Sequence, residues 1–592
     1  MHTIISSFRY QLSAALFLCI IIIVTLQQQQ SWQIDVGTSA ARVFTTTLRE
    51  SESAQIDGKL TTFQWSLPHS IITLPPHSQP QIISLRTIMR AESPPQAVTL
   101  SNANLQFALA TTTGVRRYAF YSTHGTHFAI DCDMQGVSDS ALAKICIAID
   151  TINGQPTNSA LDWPVLGWML VLMSALTGVA WMIATPAHPW RVVPLMAIGG
   201  TLLWSFPLQC TLFAPQLSLG MGGLAVVLWG IQRWVVGGWR QIAGQAMALN
   251  IAIKGLGVLV PGYFGTDVFF HVNRFVATFS GRLYQVADGQ GQTYPYTPGV
   301  YQLLAPLMLP LMTLIPADRV IIVSAVIIDS STILILAWIC QRLAWSQRSI
   351  TLMAWLYVVL PAGFLLQWQA TIAQNVGQWL GMMAIASALF AVTPLSLVWM
   401  AWAVVGHFGA FLTLHFANTL ALGFPALRRM GLWWWGVVGV MGVVFYSQYA
   451  GLIQAQLQQL GGNSADIGWS ARWWQFAWHY GLYGHYLGIG VALAVLGLGL
   501  APRDRWWQMA VAMLVSAGVL LVAQVVIDFG ATRYVIFIFP VVASYAGLAL
   551  GRLRRGRAGQ IMLIALIGLI ALQSGLAWLN GAVLGIRIGY LW

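Results

Sequence analysis

Three textures of apolar and polar positions follow one another along the chain. Residues 11–26 form one apolar run, with Arg9 before it and four glutamines after it. Residues 30–162 alternate instead, in runs such as QWSLPHSIITL, PQIISLRTIM, QAVTLSNANLQFAL, RRYAFYST and THFAIDCD, set apart by Pro, Gly and Ser. Alternation of this kind predicts short half-buried strands, and so many of them predict an all-β sandwich. From Trp163 onward, apolar segments recur at membrane-spanning length. Helices are expected near 164–184, 194–213, 218–233, 244–262, 319–340, 350–366, 377–392, 396–410, 411–426, 432–449, 482–500, 507–525, 534–551 and 559–579. With the first run these make about fifteen transmembrane helices.

No small-residue cleavage site follows the first run, so residues 1–29 are expected to be an uncleaved anchor with a cytoplasmic N-terminus. Residues 30–162 then face outward. Pro298–Ile315 is apolar but carries Pro298, Pro306 and Pro310, which suit a broken interfacial helix better than a straight span. Placing it at the outer surface puts Arg191, Arg233, Arg240, Arg342, Arg348, Arg428, Arg429, Arg503, Arg505, Arg552, Arg554, Arg555 and Arg557 on the cytoplasmic side. That is the positive-inside pattern of a plasma-membrane protein. The expected organisation is an anchor (1–29), an extracytoplasmic β-sandwich (30–162), additional helices (163–243) and a main membrane domain (244–592) with an outer loop at 263–318.

Composition agrees with a multi-pass protein: 57% of residues are hydrophobic and 8% charged. The net charge of +12 is explained by loop arginines, and no basic, aromatic-interleaved domain points to nucleic acid. The protein has three glutamates, Glu50, Glu52 and Glu92, all in the outer segment, and from Trp163 onward one lysine, Lys254, and seven aspartates. Charge chemistry therefore has few addresses. Cys132 and Cys146 flank a polar, turn-rich stretch on the outer side, which predicts a disulfide; Cys19, Cys210 and Cys340 read as small hydrophobes. No Cys/His spacing indicates a metal site.

The candidate chemistry lies in GTDVFFHVNRFVATFSGRLYQVADGQGQTYPYTPGVYQLLAPL, residues 265–307. If VFFHVNRF is helical, Asp267, His271 and Arg274 share one stripe, while Phe269, Val272, Val276 and Phe279 cover other faces. A carboxylate could serve there as general base for an acceptor, with His271 and Arg274 binding an anionic substrate. The same residues also fit a helix N-cap and an arginine on lipid phosphate. Arg533, at the outer end of a late helix, suits a head-group phosphate or an ion pair with Asp528. Within the spans, Lys254 and Asp329 could neutralise each other, and His407 and His415 read as cavity-lining rather than as a metal pair. Trp433, Trp434 and Trp435 read as an interfacial belt. Walker, nucleotide-binding GxGxxG and GxSxG patterns are missing.

An aspartate in an outer loop after a membrane helix, then TYPYTPGVYQLLAPL, then a helix ending in ICQRLAWSQRS, resembles the integral-membrane GT-C glycosyltransferases. The late RYVIFIFPVVASYAGLALGRL is similar to a tract those proteins carry near their C-terminal helices. Over residues 245–580 the resemblance implies transfer of a sugar from a polyprenyl-phosphate donor to an extracytoplasmic glycan or protein acceptor. It further implies Asp267 as base, Arg533 as a donor-phosphate ligand, and Tyr294 and Tyr296 shaping the site. The lipid-linked sugar is the donor substrate, so no cofactor is expected, and a divalent metal is left open. Asp288 is the loop's nearest second acid, and YPYTP replaces the family's paired prolines. Two other classes fit the composition: a transporter or flippase for a lipid-linked or amphipathic substrate, and a catalytically inactive envelope-assembly protein.

Overall fold

The computed structural model describes residues 31–36, 44–45, 48, 51–56, 59–77, 80–89, 97–102, 105–109, 114–122, 127–133, 146–157, 162–183, 207–259, 268–289, 292–360, 372–390, 393–459, 489–527, 537–553 and 556–578. The chain divides into two compact units, one built on Met1–Gly230 and one on Ile231–Val258 with Phe264–Trp578. The N-terminal anchor segment lies outside the described residues.

Among its described residues the first unit contains ten strands: β1 (Trp32–Asp35), β2 (Ser51–Ile56), β3 (Lys59–Trp65), β4 (His69–Thr73), β5 (Gln81–Met89), β6 (Ala97–Asn102), β7 (Leu105–Leu109), β8 (Gly114–Ser122), β9 (His127–Asp133) and β10 (Ala148–Pro156). They form two antiparallel sheets, β2-β3-β10-β5-β8 with β1 also on β10, and β4-β9-β6-β7. The inward positions are those the alternation marks: Ile83, Leu85, Val98, Leu100, Phe128 and Ile130 are buried. Phe120 of one sheet meets Phe107 and Phe128 of the other at 5.2 and 5.8 Å between ring centroids, which closes the all-β core. Cys132, in β9, and Cys146, just before β10, are joined by a disulfide that links the two sheets.

The central strand β10, AIDTINGQP, contains Gly and Pro and gives no strand signal of its own. Its glycine has a packing reason. A Cβ at Gly154 would collide with the ring of Trp32, whose indole N–H donates to Gln81 Oε1 at 2.9 Å. Asp150, at a bulge in this strand, is buried and paired with Arg86.

The helices are α1 (Trp163–Ile183), α2 (Pro207–Trp234), α3 (Gly238–Leu259), α4 (Val268–Phe279), α5 (Gly299–Leu311), α6 (Ala317–Arg342), α7 (Gln347–Val359), α8 (Ile372–Leu389), α9 (Thr393–Gly406), α10 (Phe408–Ala421), α11 (Pro425–Met441), α12 (Ala450–Gln459), α13 (Ile489–Leu500), α14 (Arg505–Ile527), α15 (Phe539–Arg552) and α16 (Arg557–Trp578). A hairpin, β11 (Gln285–Gly289) and β12 (Gln292–Tyr296), stands between α4 and α5. Among the described residues three helices are long and apolar enough to cross a membrane: Cys210–Trp234, Ala317–Arg342 and Pro425–Ala455. The chain is a membrane protein on that basis. Several other expected spans form as shorter helices, such as the 13-residue α7. The break expected near residues 213–218 is absent, because α2 continues through Pro215.

Within the second unit the most enclosed helix is α15, buried from Phe539 to Leu550. Small residues allow it to approach its neighbours closely. A Cβ at Gly547 would lie 2.5 Å from Met353 N of α7, and one at Gly497 of α13 would collide with the Tyr545 carbonyl oxygen.

Candidate functional site

The sequence VFFHVNRFVATF winds into α4 and directs Val268, His271, Phe275 and Thr278 inward, leaving Val276 and Phe279 52% and 47% exposed. His271 is buried, and its Nδ1 lies 2.8 Å from the Tyr301 hydroxyl and 3.2 Å from that of Tyr296. Tyr301 donates to Tyr296 at 3.2 Å.

Arg274, one turn along α4, places its guanidinium 4.8 Å from the Phe270 ring centre and 5.8 Å from that of Tyr296. Its Nη1 donates to Gln285 Oε1 at 3.4 Å. The Gln285 amide nitrogen donates to Thr278 Oγ1 at 3.1 Å and to the Arg282 carbonyl at 2.7 Å. Helix α4, the hairpin and the first turn of α5 thereby join in a single network of imidazole, phenols, guanidinium and amide. Such a set supplies hydrogen-bonding groups, and its guanidinium can hold an anionic oxygen.

Of the residues singled out from sequence, the fold brings His271, Arg274 and Tyr296 together. Tyr294 pairs with Ala287 across the hairpin, and its side chain lies outside the described residues. Asp267 directly precedes α4 and Arg533 precedes α15 in the sequence; both lie outside the described residues. Tyr301, Gln285 and Tyr449 were not anticipated. A tyrosine in an apolar helix gives little warning, since its ring suits the surroundings and only its hydroxyl needs a partner.

A second polar cluster sits among α3, α6, α7 and α8. Lys254 Nζ contacts Asp329 Oδ2 at 2.5 Å, with the two side chains 1% and 2% exposed. Tyr357 donates to Asp329 Oδ1 at 2.9 Å, Asn250 to Ser330 Oγ at 2.9 Å, and Gln378 to the Tyr357 hydroxyl at 3.3 Å. The two charges meet between helices, as their isolation in the sequence suggests.

The remaining polar positions are local. His407 caps α10, accepting from Gly409 N at 3.0 Å, and His415 packs against the Trp435 ring at 4.4 Å. The tryptophan triplet is not one belt, because consecutive helical residues point about 100° apart. Trp433 is 54% exposed, whereas Trp434 is buried with its indole donating to Ser396 at 2.9 Å. Among the described residues no group of three or more His, Cys, Asp or Glu is placed to hold a metal. No known family model matches the chain, and no curated protein matches it.

Proposed function

We propose that this protein is a GT-C-type membrane glycosyltransferase. It takes a sugar from a polyprenyl-phosphate donor and passes it, with inversion, to an extracytoplasmic glycan or protein acceptor. In this reading the chain crosses the plasma membrane about fifteen times, with a cytoplasmic N-terminus and with the β-sandwich and residues 263–318 outside.

The observation that carries the reading is the cluster of His271, Tyr296 and Tyr301 with Arg274 at its edge, on the helix that begins one residue after Asp267. Asp267 accepts the proton of the acceptor hydroxyl as its oxygen attacks the anomeric carbon. The bond from that carbon to the phosphate oxygen breaks, and the departing lipid phosphate is stabilised by Arg274 and Arg533. Tyr294 and Tyr296 border the sugar, and His271 fixes the orientation of Tyr296. The donor lipid already carries the activated sugar, so the reaction needs no nucleotide pocket. The test is transfer by reconstituted protein from a radiolabelled polyprenyl-phosphate sugar to a panel of acceptors, wild type against Asp267→Asn.

A second reading, movement of a lipid-linked substrate across the bilayer, rests on the buried Lys254–Asp329 pair. It predicts that Asp329→Asn abolishes flipping of a fluorescent polyprenyl-phosphate in vesicles. A substitution without effect on flipping removes that support.

A further inference from the structure

The regular ladder of α11 stops at Met441, and a π turn (Gly442–Tyr446) followed by a 3-10 turn (Ser447–Tyr449) carries the chain into α12. Irregular turns of this kind within a long helix interrupt its i to i−4 bonding and recur at functional positions. Tyr446 uses the irregularity to donate to the Val404 carbonyl at 2.9 Å. Tyr449 reaches the loop between α4 and α5. Its hydroxyl donates to the Gln285 carbonyl at 2.8 Å and accepts from the Gln285 N–H at 2.8 Å, with the Tyr296 carbonyl 3.4 Å away. Its ring lies 5.7 Å from that of Phe445 and 6.3 Å from that of Tyr284.

One phenol therefore satisfies both backbone groups of the residue whose side chain receives Arg274. Gln285 is also the cross-strand partner of Tyr296. We infer that Tyr449 is a positioning residue for the proposed transfer reaction: it clamps the first residue of the hairpin to the Pro425–Ala455 span and thereby sets Arg274 and Tyr296 for the donor. This rests on the transferase reading. Tyr449 touches no reacting atom; it acts through Gln285. Removing its hydroxyl leaves the ring packing in place and frees the Gln285 N–H and C=O, which then hold the hairpin end less firmly.

The test compares full-length wild type with Tyr449→Phe in lipid nanodiscs by two readouts. Hydrogen exchange of peptides containing Gln285 is expected to quicken about fivefold at an unchanged melting temperature. In the transfer assay the donor KM is expected to rise about fivefold, with kcat changing less than about twofold. In the Arg274→Ala background the same substitution should add little, because its effect runs through that side chain. A Tyr449→Phe protein with unchanged exchange and unchanged KM defeats the Tyr449 assignment while leaving the transferase reading in place. A loss confined to kcat points to a merely structural role and also overturns it. A wild-type protein without transfer defeats the transferase reading and the role built on it, and the exchange readout then separately decides whether the clamp exists.

Discussion

The second unit holds two polar clusters that resolve the same physical problem in opposite ways. At Lys254 and Asp329 the charges neutralise each other and are enclosed, with Tyr357, Asn250 and Ser330 completing the hydrogen bonds. At His271 and Tyr296 the groups are an imidazole and phenols, and among the described residues of the cluster the guanidinium of Arg274 is partly exposed above aromatic rings. A closed ion pair fixes helices, since separating it leaves a desolvated charge. A partly exposed guanidinium retains binding capacity, because over an aromatic face it can still engage an anionic oxygen. On the proposed transferase reading the first cluster is architecture and the second a site.

The largest expected effect tests the first half of that contrast. Asp329→Ala strands Lys254 and should destabilise the protein by about 3–5 kcal/mol, measured by unfolding in detergent. Pairing Lys254→Met with Asp329→Leu should recover most of that loss, because no buried charge is then left alone. A single substitution costing less than about 1 kcal/mol would place the pair among ordinary surface bridges and break the comparison.

Arg274→Ala should do the reverse. Stability should change by less than about 1 kcal/mol, while donor affinity, followed by titration with a labelled polyprenyl-phosphate sugar, should fall about tenfold. Equal affinity in the variant would move Arg274 out of the site. The smallest effect is expected from Tyr301→Phe, which removes one hydroxyl from the His271 network. About 1 kcal/mol of stability, or a few-fold change in donor affinity, should separate it from wild type. A larger loss than in Arg274→Ala would show that the cluster is held for packing.

What the sequence made readable follows from period and scarcity. Alternation located β4 to β9, and the helical stripe placed His271 and Arg274 on neighbouring turns of α4. Lys254 and Asp329 stood out because charge is so rare from Trp163 onward. The central strand β10 escaped notice, since Gly154 and Pro156 look like turn residues until Trp32 and the sheet edge give them a reason. The lengths of helices such as α7 were overestimated, because an apolar composition carries on past the point where hydrogen bonding ends. Gln285 and Tyr449 are 164 residues apart, and contact at that separation has no local signature. The tryptophan triplet misled for a related reason: adjacency in sequence is divergence on a helix.

The central claim is that the outer loop beginning at Asp267 carries out sugar transfer. Reconstituted wild-type and Asp267→Asn proteins, assayed side by side with a radiolabelled polyprenyl-phosphate sugar, test it most directly. The account predicts transfer by the wild type and a loss of about 10²–10⁴-fold in kcat for the variant, with donor affinity retained. Transfer at the wild-type rate by Asp267→Asn would contradict it.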